Sequence, residues 1–111
     1  MSNIREFQYR APRFDTDFHF LLLTDLGQLV LHGRCLEISK QGLVAWVSEP
    51  LEVGTKATLI LTLPGGSSEM MIAAVVTRRH GPDHAFTFVS IPAPDRPHLH
   101  QYLLPHGDSG A

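Results

Sequence analysis

The chain is short of nearly everything that announces a chemistry. Cys35 is its one cysteine, so no intrachain disulfide can form and no thiolate zinc cage can be built. No apolar run reaches membrane-spanning length, and the end that opens at Met1 is polar, with no apolar leader core. The default expectation is a soluble cytoplasmic protein without a transmembrane segment. Nine Lys and Arg stand against eleven Asp and Glu, a formal net charge of −2. A chain so balanced has no basic field for DNA or any long polyanion, so any anion must be met by local groups. Ser39 lies in no Gly-x-Ser-x-Gly elbow, no Ser/His/Asp or Cys/His spacing pairs a nucleophile with a base, and the carboxylates are scattered among turns. The chain therefore reads as a non-enzyme. Of the seven histidines, His98 and His100 diverge on a helix, and His80 and His84 flank a turn but are too few for a structural zinc site. No metal or other cofactor is expected. Repeats and low-complexity tracts are also missing.

What is there is one domain's worth of short β-forming runs. At 111 residues and 43% apolar, the chain can bury roughly two-thirds of its unfolded surface around one core. Strands are read at Thr16 to Thr24, Gln28 to Ile38, Leu43 to Ser48, Thr55 to Leu63, Glu69 to Arg79 and Ala85 to Ser90. Turn signals recurring about every 8–12 residues set the fold class as all-β, six antiparallel strands in a barrel or sandwich. Alternation within Thr58 to Leu63 and Phe86 to Val89 is partial, which leaves the facing open. The run Ala73-Ala74-Val75-Val76 suits a strand covered on both faces. Trp46, Phe86 and Phe88 read as core or barrel-lining residues, and Cys35 as a small packed apolar group. A short helix follows: Asp95 as cap, Pro97 in the first turn, and Leu99, Tyr102 and Leu103 on one face. Pro105 and Gly107 end it, leaving 105–111 as a tail.

Between the second and third runs stands a polar hinge, Glu37-Ile38-Ser39-Lys40-Gln41-Gly42, and upstream stand Arg5, Arg10 and Arg13. The hinge offers a carboxylate, a hydroxyl and a glycine in one tight turn. Arginine offers planar cations that fork onto phosphate oxygens and stack on purines. Together they point to an anionic nucleotide. A hairpin turn alone also accounts for the hinge, with Ser39 bonding the local backbone and Gly42 in a left-handed conformation.

An arginine-bearing N-terminal segment, a strand and hairpin ending in acidic-x-Ser-x-x-Gly, further antiparallel strands and a C-terminal helix is a layout that resembles the PilZ domain family, bacterial receptors for cyclic di-GMP. The approach Pro50-Leu51-Glu52-Val53-Gly54 and the late Phe86-Thr87-Phe88 strand followed by Pro94-Asp95 fit as well. The resemblance runs from about Arg5 to Leu104. It implies a six-stranded antiparallel barrel with a short C-terminal helix over 15–104, an arginine-containing arm over 1–14, and a flexible tail over 105–111.

By the same resemblance, Arg10 and Arg13 meet the ligand's phosphates and guanines, Glu37 accepts from the guanine N1–H and N2–H₂ edge, and Ser39 and Gly42 shape the turn. Gly42 can do so with a positive φ or by letting the ligand approach the backbone. Two positions depart from the family pattern. The pair Arg10-Ala11-Pro12-Arg13 is one residue shorter than Arg-x-x-x-Arg, and Glu37 stands where Asp or Asn is usual. The implied function is a stand-alone cyclic di-GMP-binding adaptor acting on a protein partner in motility, pilus or exopolysaccharide machinery. The alternatives are a degenerate PilZ-like interaction module that binds no cyclic di-GMP, and an unrelated small barrel that binds oligonucleotides, which the acidic balance disfavours.

Overall fold

The computed structural model describes residues 14–24, 28–66 and 68–104. Within them β1 is Phe14–Thr24, β2 Leu29–Ile38, β3 Gly42–Val47, β4 Lys56–Thr62, β5 Glu69–His80 and β6 Asp83–Ser90. All pairs are antiparallel, in the order β1-β2-β3-β6-β5-β4, and β4 returns to β1 so that the barrel closes. Closure gives each of the six strands a partner on both sides, which removes the open sheet ends that template aggregation. Of the expected arm, Arg5, Arg10 and Arg13 lie outside the described residues, as does the tail beyond Leu104.

The facing that partial alternation left open is settled by burial. Even positions point inward on β1 (Phe18, Phe20, Leu22) and β5 (Met70, Ile72, Ala74, Val76), odd positions on β3 (Leu43, Ala45, Val47) and β4 (Ala57, Leu59, Leu61). Each of the larger inward side chains, Leu, Ile, Val, Met or Phe, contributes roughly 1.5–3 kcal/mol of burial free energy, and each alanine less. Ala73 and Val75 are half-buried on the outside, so the stretch read as covered on both faces is fully covered on one. Cys35 packs wholly inside, and burial pushes its thiol up to about 12, which keeps it protonated and inert.

Strand ends differ by a few residues from the sequence expectation, most at the last hairpin. His80, Asp83 and His84 belong to strands, and the reversal is only Gly81-Pro82, with Gly81 at φ +63°. A two-residue hairpin needs a positive φ, which glycine supplies without a Cβ penalty.

The connection from β3 to β4 joins strands that are not neighbours. Buried Leu51 anchors it, and the Leu51 N–H donates to Nε2 of His84 at 2.9 Å. Helix α1, Arg96–Leu103, follows a 3₁₀ turn at Ala93–Asp95. Leu99 and Leu103 are buried, and the half-buried Tyr102 shares a 2.7 Å hydrogen bond between its hydroxyl and Oγ1 of Thr16 on β1. Asp95 makes no capping bond with its side chain; its N–H donates to the Pro92 carbonyl at 2.9 Å. The chain enters α1 from an already helical turn (Asp95 φ −90°, ψ −18°), so the extended geometry a capping side chain requires is not adopted.

Candidate functional site

Strict alternation along β2 would put Glu37 in the core. Leu31, Gly33 and Cys35 all face inward, and the next odd position is Glu37. A β-bulge between Cys35 and Glu37, where β2 pairs with β3, inserts one extra residue and resets the parity. Ile38 turns into the core and Glu37 becomes half-buried at the wall, opposite Val44 of β3 and Asp15 of β1. The Cys35 thiol donates to the Glu37 carbonyl at 3.4 Å across the bulge.

The Ser39–Gly42 turn that follows is held by its own polar groups. The Ser39 N–H donates to the Gly42 carbonyl at 2.8 Å, and Oγ of Ser39 accepts from the Gln41 N–H at 3.1 Å. Ser39 is only 4% exposed, so its hydroxyl is spent on shaping the turn. The Phe88 N–H donates to the Gln41 carbonyl at 2.8 Å and stitches the turn to β6. Gly42 does not take a positive φ. A Cβ there would fall on the carbonyl oxygen of Phe86, so glycine is required by the close approach of β6. The hairpin account of a left-handed Gly42 is thereby corrected, and the account of Ser39 as a local backbone partner holds.

This turn stands between two shallow grooves on the barrel wall. One, of about 270 Å³, is lined by Ser39, Gly42, Val44, Thr77, Arg78 and Thr87 among others. The second, of about 650 Å³, lies on the other side of Gln41 and includes Lys40, Phe88 and Arg96. Ser39 and Gly42 are thus brought together, and Glu37 adjoins the first groove through its neighbour Val44. Arg78 borders the first groove, and Lys40 and Arg96 the second. Arg34 is differently placed: its Nε and a terminal guanidinium nitrogen donate to the two Asp17 carboxylate oxygens at 2.8 Å each. The bidentate pair holds the Asp17 carboxyl below its ordinary range and raises Arg34.

A PilZ domain family model matches residues 7–104. The chain belongs to the PilZ domain family. PilZ domains are binding and signalling domains that generally serve as cyclic di-GMP receptors. Two solved structures share the fold. The PilZ domain of CeSA from a cellulose-synthesizing bacterium superimposes with a TM-score of 0.66 at 14% identity, covering 84% of this chain and 95% of that one. The Bacillus subtilis inhibitor of motility MotI/DgrA gives a TM-score of 0.70 at 18% identity, covering 88% of this chain and 50% of that one. At such identities the likeness is one of fold. No curated protein matches the chain in sequence. Within the described part of this PilZ domain no helix is long and apolar enough to cross a membrane, and no cluster of three or more His, Cys, Asp or Glu could hold a metal ion.

Three residues around the PilZ motif escape a reading by sequence. Trp46, read as core or barrel-lining, is 42% exposed on the outside of β3, because Leu43, Ala45 and Val47 take the inward positions. That parity was the available signal, but Val44 and Trp46 are as apolar as their inward neighbours and mask it. Arg78 reaches the Ser39 groove through β5–β6 pairing, opposite Ala85, a contact no local pattern encodes. His84 is fully buried, with Nδ1 2.8 Å from the Pro82 carbonyl and Nε2 accepting from Leu51. Those partners assign the Nδ1–H tautomer. Burial holds the imidazole below its usual value and so neutral, outweighing the bond to Pro82, which pulls the other way.

Proposed function

We propose that this PilZ domain binds cyclic di-GMP at the Glu37–Gly42 turn and passes the bound state to a protein partner. The observation that carries the reading is Glu37, brought out of the core by a bulge and set beside a hydrogen-bonded turn and the Arg78-bordered groove. A carboxylate there can accept the paired donors of a guanine edge. Arg10 and Arg13 would fork onto the phosphates. Ser39 and Gly42 act by fixing the turn. The output passes through a second protein in the cytoplasm; among the structural neighbours, one is named an inhibitor of motility and the other comes from a cellulose-synthesizing bacterium.

Isothermal titration calorimetry tests this. The wild type should bind cyclic di-GMP with an affinity that falls as salt rises. Arg13→Ala should lose roughly 1.5–3 kcal/mol, the worth of a hydrogen bond to a charged group, at unchanged thermal stability. Glu37→Asp should keep or improve affinity. No heat with the wild type, but heat after one residue is inserted between Arg10 and Arg13 together with Glu37→Asp, would mark a decayed site and favour the interaction module that binds no cyclic di-GMP. Capture of the same partners with and without ligand would remove ligand gating.

A further inference from the structure

The outside of β2, β3, β6 and the end of β5 is ordered in rows by strand pairing. Arg34, Trp46, Asp83 and His80 lie opposite one another across four strands. In the next row stand Glu37, Val44, Ala85 and Arg78. Trp46 is therefore one strand period, roughly 7 Å, from the row that holds the Glu37 carboxylate. An indole half open to water on a closed barrel does not fill the core, and among the described residues it stacks on no other ring. It is the only tryptophan in the chain. Its cationic neighbour Arg34 is engaged by Asp17 through two of its guanidinium nitrogens. The Arg78 side chain, in contrast, makes no hydrogen bond or ion pair with a described residue, and it lines the same groove as Ser39.

We propose that Trp46 is the stacking platform for a guanine of the cyclic dinucleotide and that Arg78, in the adjoining row where it lines the Ser39 groove, is a phosphate-binding cation. The inference rests on the receptor reading above and extends its site by two residues outside the motif. Every base offers a π-face to an indole, so stacking alone would not choose among bases. The choice comes from the carboxylates on either side of the platform, Asp83 directly across from Trp46 and Glu37 diagonal to it. Carboxylates only accept, and guanine presents N1–H and N2–H₂ side by side on one edge; adenine lacks that pair. Arg78 offers the planar fork that suits a phosphate. With the Arg10–Arg13 spacing one residue short, Arg78 adds a guanidinium supplied from strand β5.

A single-tryptophan chain lets one titration decide. Full-length protein is titrated with cyclic di-GMP by calorimetry and, in parallel, by intrinsic fluorescence. The expected result is a change in Trp46 emission that saturates with the calorimetric midpoint. Trp46→Ala should weaken binding on the order of ten- to a hundredfold, the usual range for one base–aromatic stack, while Trp46→Phe, which keeps a ring, should lose less. Both should melt with the wild type, since the indole is outside the core. Arg78→Ala should weaken binding and lower its salt dependence, with Arg78→Lys intermediate. Cyclic di-AMP should bind far more weakly than cyclic di-GMP. Binding heat with unchanged emission and an undiminished Trp46→Ala affinity overturns this inference and leaves the receptor reading standing. No heat with any protein or dinucleotide overturns both.

Discussion

The two sides of the barrel wall are built on the same alternation and carry opposite chemistry. On the side of β1, β4 and the first half of β5, outward residues line up as Leu21, Ile60, Met71 and as Leu23, Thr58, Ala73, in a register that is unbroken from β1 to β4 and from β4 to β5. This field has no charge between Lys56 and Glu69 and leaves Met71 50% and neighbouring Val30 53% exposed. On the side of β2, β3 and β6 the outward residues include Arg34, Glu37, Trp46, Asp83 and Arg78, and the register breaks three times, between Cys35 and Glu37, between Ala73 and Ala74 and between Val76 and Arg78. Regular pairing suffices where the wall only has to enclose a core. Two of the breaks, Cys35/Glu37 and Val76/Arg78, flank the Ser39 groove and carry Glu37 and Arg78 outward next to the turn.

Predictions can be ranked by how hard they press on that contrast. Gly42→Val should cost the most, because the added Cβ meets a backbone carbonyl of β6 that cannot rotate away. Forced overpacking of this kind costs roughly 1–3 kcal/mol and more where the neighbour is rigid, and chemical denaturation should place the variant at or above the top of that range. A loss under 0.5 kcal/mol would mean that the polar side is as compliant as the apolar one.

His84→Leu comes next. It removes the acceptor of the buried Leu51 N–H, a loss of roughly 1–3 kcal/mol, and it also removes a pH response. The folded His84 lies below the ordinary 6.5, so the unfolded chain binds the extra proton first. The stability His84 contributes is complete above pH 6.5 and is lost as pH falls from there toward the folded value. Melting curves from pH 8 to 5 should show this loss in the wild type and a flatter profile in His84→Leu. Equal slopes would assign the acid sensitivity elsewhere.

Met71→Lys should do least. Its side chain is half exposed on the regular side, so stability should stay within about 0.5 kcal/mol, and cyclic di-GMP affinity should be unchanged in calorimetry. A large loss of affinity would join the two sides into one site.

Much of the barrel is legible in the chain because it is written locally. Six β-forming runs, the breaks at Gly54 and Gly65–Gly66, and the Leu99–Leu103 stripe each follow from residues within a few positions of one another. The order β1-β2-β3-β6-β5-β4 does not, since it depends on which strands meet across the core. In the candidate site the split is similar. The Glu37-x-Ser39-x-x-Gly42 pattern marks a turn by itself, and Ser39 behaves as a turn residue does.

The reason for Gly42 lies in β6, more than forty positions away, where Phe86 presents its carbonyl. Trp46 was misread because an apolar residue among apolar residues carries no mark of facing, and only the closed sheet decides which of two adjacent residues has a core to enter. Sequence by itself determined the elements, the turn and the family, since these rest on short-range sterics and a local pattern of polarity. Tertiary structure alone decided that Glu37 escapes the core, that Arg78 stands beside Ser39 and that Trp46 faces water. Each of those follows from strand pairing and from the single extra residue of a bulge, which inverts the inside and the outside of everything beyond it.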